Sequence, residues 1–243
     1  MAANPVGTAP DWWHDDIVSR TAALAVAAAL LTGTGVVAAT SGTVAIVEER
    51  ADRGQDAQVA ETVPPPSTPY RLPVDASAGP GWNPTHSSYP ATDIFLPCGA
   101  DVVSPVHGTV THVRRVDSWD PAVDDPATRG GRSVAIVGVD GVRYYFAHFR
   151  SVDAAIVVGV TVEPGRLLGS LGDSGRTSAC HLHFGISPNC SIEEWWVRRG
   201  VVWPAPYLDD WRVGRQTSPA SAVREWAVRY PDACDDPSVI GAA

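Results

Sequence analysis

The 243-residue sequence contains no lysine, and all 18 of its basic residues are arginine. They are outnumbered by 27 acidic residues, giving a formal net charge of −9. No basic run or aromatic-basic patch occurs, so the footprint of a nucleic-acid binder is absent. The missing lysine reflects coding bias rather than mechanism. Also absent is any C-x-x-C pair among Cys98, Cys180, Cys190 and Cys234, which excludes a thiolate zinc site and favours paired disulfides. Strands do not alternate with helical patterns, so a doubly wound parallel sheet is excluded and an antiparallel one expected.

Charge disappears altogether between residues 21 and 47. After a polar tail over residues 1–20, this stretch is long enough to cross a bilayer with tilt, as an N-terminal hydrophobic helix. A signal peptide with its apolar centre at residues 22–31 and cleavage after Ala39 competes with that anchor. Either reading places the rest outside the cytoplasm, membrane-anchored or secreted. Residues 48–80 hold Pro64, Pro65, Pro66, Pro69, Pro73 and Pro80 and read as an extended linker.

From residue 81 the texture becomes short β-runs separated by turns. Residues 92–96, 108–116, 133–139, 142–149, 166–171 and 180–186 all fit strands. Asp140-Gly141 marks a tight hairpin, and Pro164-Gly165 suits the middle of a type II turn. The core is therefore residues 81–190, mainly β, followed by a Trp-rich extension over residues 191–243. There Ser191 reads as a helix cap and Ser218-Pro219 as the start of a helix through Tyr230. Its tryptophans Trp195, Trp196, Trp203, Trp211 and Trp226 are expected to pack helices onto the sheet.

The chemistry concentrates in Cys180-His181-Leu182-His183-Phe184. Side chains two apart on a strand share a face, so His181 and His183 project together. With His86 and Asp93 they make a set of imidazoles and one carboxylate with a coordination position left open. That is the composition of a catalytic zinc site. His148, at the end of an apolar strand, is a further proton-transfer candidate. His107 and His112 read as solvated. Strand parity points Cys180 away from the histidines and Cys98 away from Asp93, so Cys98–Cys180 and Cys190–Cys234 are the expected bridges.

These pieces also stand in a familiar order. His86…Tyr89-Pro90-Ala91-Thr92-Asp93, Ser104-Pro105…Gly108-Thr109-Val110, Tyr145-Phe146-Ala147-His148, Glu163-Pro164-Gly165 and His181-Leu182-His183-Phe184 together resemble the lysostaphin/LytM-type zinc endopeptidases, metallopeptidase family twenty-three. The resemblance covers roughly residues 85–186. It implies an antiparallel β-sheet groove of the duplicated-hybrid-motif type, here with short C-terminal helices, that hydrolyses peptide bonds of peptidoglycan. Carried over, His86, Asp93 and His183 are zinc ligands, and His148 and His181 the catalytic pair that handles the water and the developing oxyanion. The gap from His86 to Asp93 is longer than the H-x-x-x-D of lysostaphin itself.

Two rivals remain at this level. Gly172-Asp173-Ser174-Gly175 resembles the nucleophile turn of chymotrypsin-like serine proteases, with His148 as its base. Alternatively the chain is a catalytically silent, zinc-containing module that binds cell wall or regulates another hydrolase. No motif identifies a regulatory protein partner.

Overall fold

The computed structural model describes residues 69–190 and 194–240. The polar tail, the hydrophobic segment expected as a helix, residues 48–68 of the linker and the Ser191 cap lie outside the described residues. Among the described residues, no helix is long and apolar enough to cross a membrane.

Ten strands follow in order: β1 (Gly81–Trp82), β2 (Thr92–Phe95), β3 (Asp101–Val103), β4 (Gly108–Arg114), β5 (Ser133–Gly138), β6 (Val142–Ala147), β7 (Phe149–Val152), β8 (Thr161–Val162), β9 (Leu167–Leu171) and β10 (Leu182–Pro188). Among the described residues three α-helices follow, α1 (Trp195–Arg198), α2 (Ala205–Arg212) and α3 (Ala220–Arg229), with a last 3-10 turn at Pro237–Ile240. Seven strands form one sheet in the order β1-β2-β10-β6-β5-β4-β8, and β3-β9-β7 form a second. The strand pairings within both sheets are antiparallel, as the absence of crossover helices requires.

The alternation of side chains along the central strands decides what each sheet face does. Leu182, Phe184 and Ile186 of β10 point to one side, with Ile94, Tyr144, Phe146, Val134 and Ile136 from its neighbours, and all are buried in the main core. The intervening residues, among them His183, Asp93, Tyr145 and Ala147, occupy the other face. Register brings them together, since His183 pairs with Asp93 on one side and with Ala147 on the other. One β10 thus supplies core with its even residues and functional groups with its odd ones.

The turns formed as their chemistry demands. Gly141 takes φ 76° in the β5–β6 hairpin and Gly165 φ 88° in the turn before β9, left-handed values that cost glycine little. Both expected disulfides are present, Cys98–Cys180 with Cα atoms 5.3 Å apart and Cys190–Cys234 with 5.7 Å.

Three expectations need correction. Residues 142–149 are two strands, not one: His148 adopts φ 67° and turns the chain from the large sheet into the small one. The segment before residue 81 is not all linker, because Leu72 and Val74 are buried in the core and Val74 bridges to Val102. Tyr70 donates a hydrogen bond to Asp140 Oδ2 at 2.7 Å and stacks on Trp211 at 5.2 Å. His112, expected in solvent, is buried, with Nε2 3.1 Å from Ser133 Oγ. Leu72→Ala is accordingly expected to cost about 2–3 kcal/mol of stability, read from the urea midpoint. A tether residue would cost less than about 0.5 kcal/mol.

Candidate active site

His183 Nε2 lies 2.9 Å from the backbone carbonyl of Arg199, and His148 Nδ1 lies 2.7 Å from that of Ser174. His181 Nδ1 is 2.9 Å from the carbonyl of Ala179. A carbonyl oxygen only accepts, so in each ring this nitrogen carries the proton and donates it. The opposite nitrogen of a neutral imidazole is then a lone pair. For His183 that lone pair, Nδ1, sits 3.1 Å from Asp93 Oδ1, and His181 Nε2 sits 3.6 Å from the same oxygen. His86 Nε2 approaches Asp93 Oδ2 at 3.8 Å.

Nitrogen lone pairs facing a carboxylate at such distances repel unless a positive charge lies between them. Either an extra proton or a metal ion satisfies the arrangement. His86, Asp93 and His183 each offer one ligand atom within 4.8 Å of the others, the spacing of a cation site. The donor set of two imidazoles and a carboxylate suits zinc. His148 stands beside this cluster, its ring 4.7 Å from that of His181 and 6.1 Å from that of His183.

Residues 87–192 match the family described as Peptidase family M23. They form a peptidase family M23 domain. His86 lies one residue ahead of the match, and the C-terminal extension from residue 193 lies beyond it. A curated relative, the L-Ala--D-Glu endopeptidase of Bacillus subtilis (strain 168), is 30% identical over 127 residues, which cover 49% of this chain. The match spans only 34% of that protein's length. Similar solved structures include the catalytic domain of lysostaphin from Staphylococcus simulans, 21% identical with a TM-score of 0.40, covering 53% of this chain and 89% of that one. A zinc-containing peptidase from Vibrio cholerae is 22% identical with a TM-score of 0.40, covering 55% and 38%.

Electrostatics in the M23 domain follow from burial and from the imidazoles. Burial alone would raise the Asp93 carboxyl, but the hydrogen bond that His183 donates when its ring carries the extra proton, and the positive charges of His183, His181 and His86 in that state, outweigh it and hold the group at about 2. Asp93 is therefore a carboxylate at any working pH. Burial pushes His86 down, with the His183 charge adding to it. Burial is also the main reason His148 falls to about 3, with His183 and His181 contributing. His148 is neutral at pH 7.

Ser174 does not serve as a nucleophile here. The residue is 4% exposed, its Oγ accepts from the backbone N–H of Arg132 at 2.9 Å, and its carbonyl rather than its hydroxyl meets His148.

The site opens into a cleft of about 480 Å³ that also takes in Tyr89, Arg129, Arg176, Trp195, Arg198 and Arg199. None of these is marked as functional by the sequence alone, although Tyr89 stands in the motif between His86 and Asp93. Three of them come from the extension, which is clamped onto the sheet beside the site. Arg143, 2% exposed on β6, pairs with Glu194 at 3.5 Å just ahead of α1 and donates to Ser187 Oγ at 3.0 Å. Gly185 of β10 lies so close beneath that a Cβ there would collide with the Arg199 backbone. The adjacent Arg198-Arg199 pair was the signal available for this wall. Of the tryptophans, Trp211 packs into the core, while Trp195 turns to the cleft.

Proposed function

We propose that this domain is an extracytoplasmic zinc endopeptidase that hydrolyses peptide bonds of peptidoglycan, in stems or cross-bridges. One observation carries the reading. His181 and His183 each have one nitrogen fixed as a donor by a backbone carbonyl, which aims their remaining lone pairs at one oxygen of Asp93, and His148, held by a carbonyl in the same way, stands beside them. Such orientation by backbone partners is what a metal-ligating histidine requires, since it sets both tautomer and ring plane.

His86, Asp93 and His183 would hold the ion. Zinc bound there would act as a Lewis acid, polarising an amide carbonyl and acidifying a water molecule. His148, neutral and held by Ser174, presents a free nitrogen that can take a proton from the attacking water. With His181 beside it, the pair can return that proton to the departing amine. Water adds across the amide, and the products are a carboxylic acid and an amine. The peptide substrate is suggested by the family and by the curated relative's name. Two disulfides suit an oxidising compartment, and the uncharged stretch over residues 21–47 would supply the anchor or export signal.

Metal analysis of the purified full chain, paired with digestion of purified sacculi, tests the proposal. About one zinc per chain is expected, with new amino termini that o-phenanthroline suppresses and a serine-directed phosphonate does not. Zinc bound without cleavage on several wall types would instead establish the silent binding module.

A further inference from the structure

Arg199 is placed where a structural arginine has no need to be. Its guanidinium lies 4.0 Å from the centre of the Tyr89 ring and 5.0 Å from that of Trp195, on the wall of the cleft. Its Nε is buried and makes no hydrogen bond. No carboxylate lies within ion-pair reach of it among the described residues. By contrast, the two arginines that reach the cleft from the loop wall share one carboxylate behind it: Arg129 pairs with Asp124 at 2.9 Å and Arg176 with the same residue at 3.7 Å. Among the described residues, the only acidic side chain lining the cleft is Asp93, which the imidazoles surround. A chain of net charge −9 thus presents a cleft of opposite sign.

Tyr89 connects this charge to the reaction centre. Its ring stands 4.4 Å from that of His86 and 5.8 Å from that of His183. A group bound by Arg199 therefore lies within a residue or so of a peptide bond presented to the ligand cluster. A guanidinium pinned between two aromatic faces has lost most of its rotamer freedom, so ordering it on a ligand costs little. A planar fork with unused donors fits a carboxylate in two parallel hydrogen bonds.

We propose that Arg199 binds a free carboxylate of the substrate, so that the domain selects anionic peptides over their amidated counterparts. The inference rests on the peptidase reading for its site, and adds the substrate class. The carboxylate could be an acidic side chain or a chain terminus, and the chemistry of recognition is common to both.

The test uses the full, metal-replete chain and three fluorescent stem tetrapeptides. One carries a free glutamyl carboxylate with an amidated C-terminus, one an amidated glutamyl group with a free C-terminus, and one is amidated at both. Binding is read by anisotropy on a His148→Ala background, so that turnover does not consume the peptides. At least one singly amidated peptide should bind about 10- to 100-fold more tightly than the doubly amidated one, and which one identifies the carboxylate. Arg199→Gln should abolish that preference, bringing the favoured peptide's affinity down to that of the doubly amidated one, with the circular dichroism spectrum and the zinc content of the variant as the folding control. Equal binding of all three by the Arg199-containing protein overturns the inference without recourse to any Arg199 variant, and so does a preference that survives Arg199→Gln. Cleavage is followed separately with His148 intact. Carboxylate preference without hydrolysis defeats the peptidase reading alone, whereas hydrolysis of all three at one rate defeats this inference alone.

Discussion

His148→Ala is expected to lower kcat on peptidoglycan peptides by about 10³-fold, within the range for loss of a positioned general base, while the zinc content of the protein stays unchanged. The two halves of that result separate roles that sequence cannot. His148 is not among the three residues whose ligand atoms converge, so its removal leaves the metal donors in place. Its Nδ1 is fixed by Ser174 and its ring lies beside those of His181 and His183, so its other nitrogen is the one left for proton transfer. His183→Ala should differ in kind: zinc content and activity should fall together, because a ligand and its Arg199 tether are both lost. A His148→Ala protein that had lost its metal would place His148 among the ligands and refute this division of labour. Single-turnover rates and metal analysis on the same preparation decide between them.

The parts of this site that could be read from sequence are those set by the two-residue period of a strand. His181 and His183 share a face for that reason, and both reach the same Asp93 oxygen. The expected Cys98–Cys180 bridge is present as well, although both cysteines lie just outside β2 and β10. What escaped was decided by backbone conformation or by distant packing. The strand-like run from Val142 to Phe149 contains no glycine or proline and gives no sign that His148 takes a left-handed turn, since residues other than glycine rarely do. Arg199 enters the site only because Gly185 lets a segment outside the family match settle on β10. Leu72 and Val74 already showed the strand period, but the surrounding prolines concealed it. His112 was lost for a related reason. Its burial depends on the Arg143 and Arg198 side of the sheet being roofed by the extension, and nothing local announces that.

That burial has a measurable consequence in acid. His112 is pushed down to about 3, chiefly by desolvation and then by the nearby charges of Arg198, Arg114 and Arg143. His148 is likewise at about 3. In the unfolded chain both return to near 6.5. Below that pH the unfolded state takes up protons that the folded state refuses, so folding becomes less favourable as pH falls. The contribution is fully present above pH 6.5, is lost progressively down to about pH 3, and has no further slope beneath. Each group costs about 1.4 kcal/mol per pH unit within the window, or about 5 kcal/mol for the two together between pH 6.5 and 4.5. Asp93 acts in the same sense but lower, where pH falls from its unfolded value of 3.8 toward about 2. Urea unfolding at pH 7, 5.5 and 4.5, in chelator so that metal loss adds nothing, should show this decline. His112→Phe removes one of the two groups and keeps the site filled, so it should roughly halve the slope between pH 6.5 and 4.5. An unchanged slope would mean that His112 gains its proton in the folded protein as readily as in water, and that the roof over it opens.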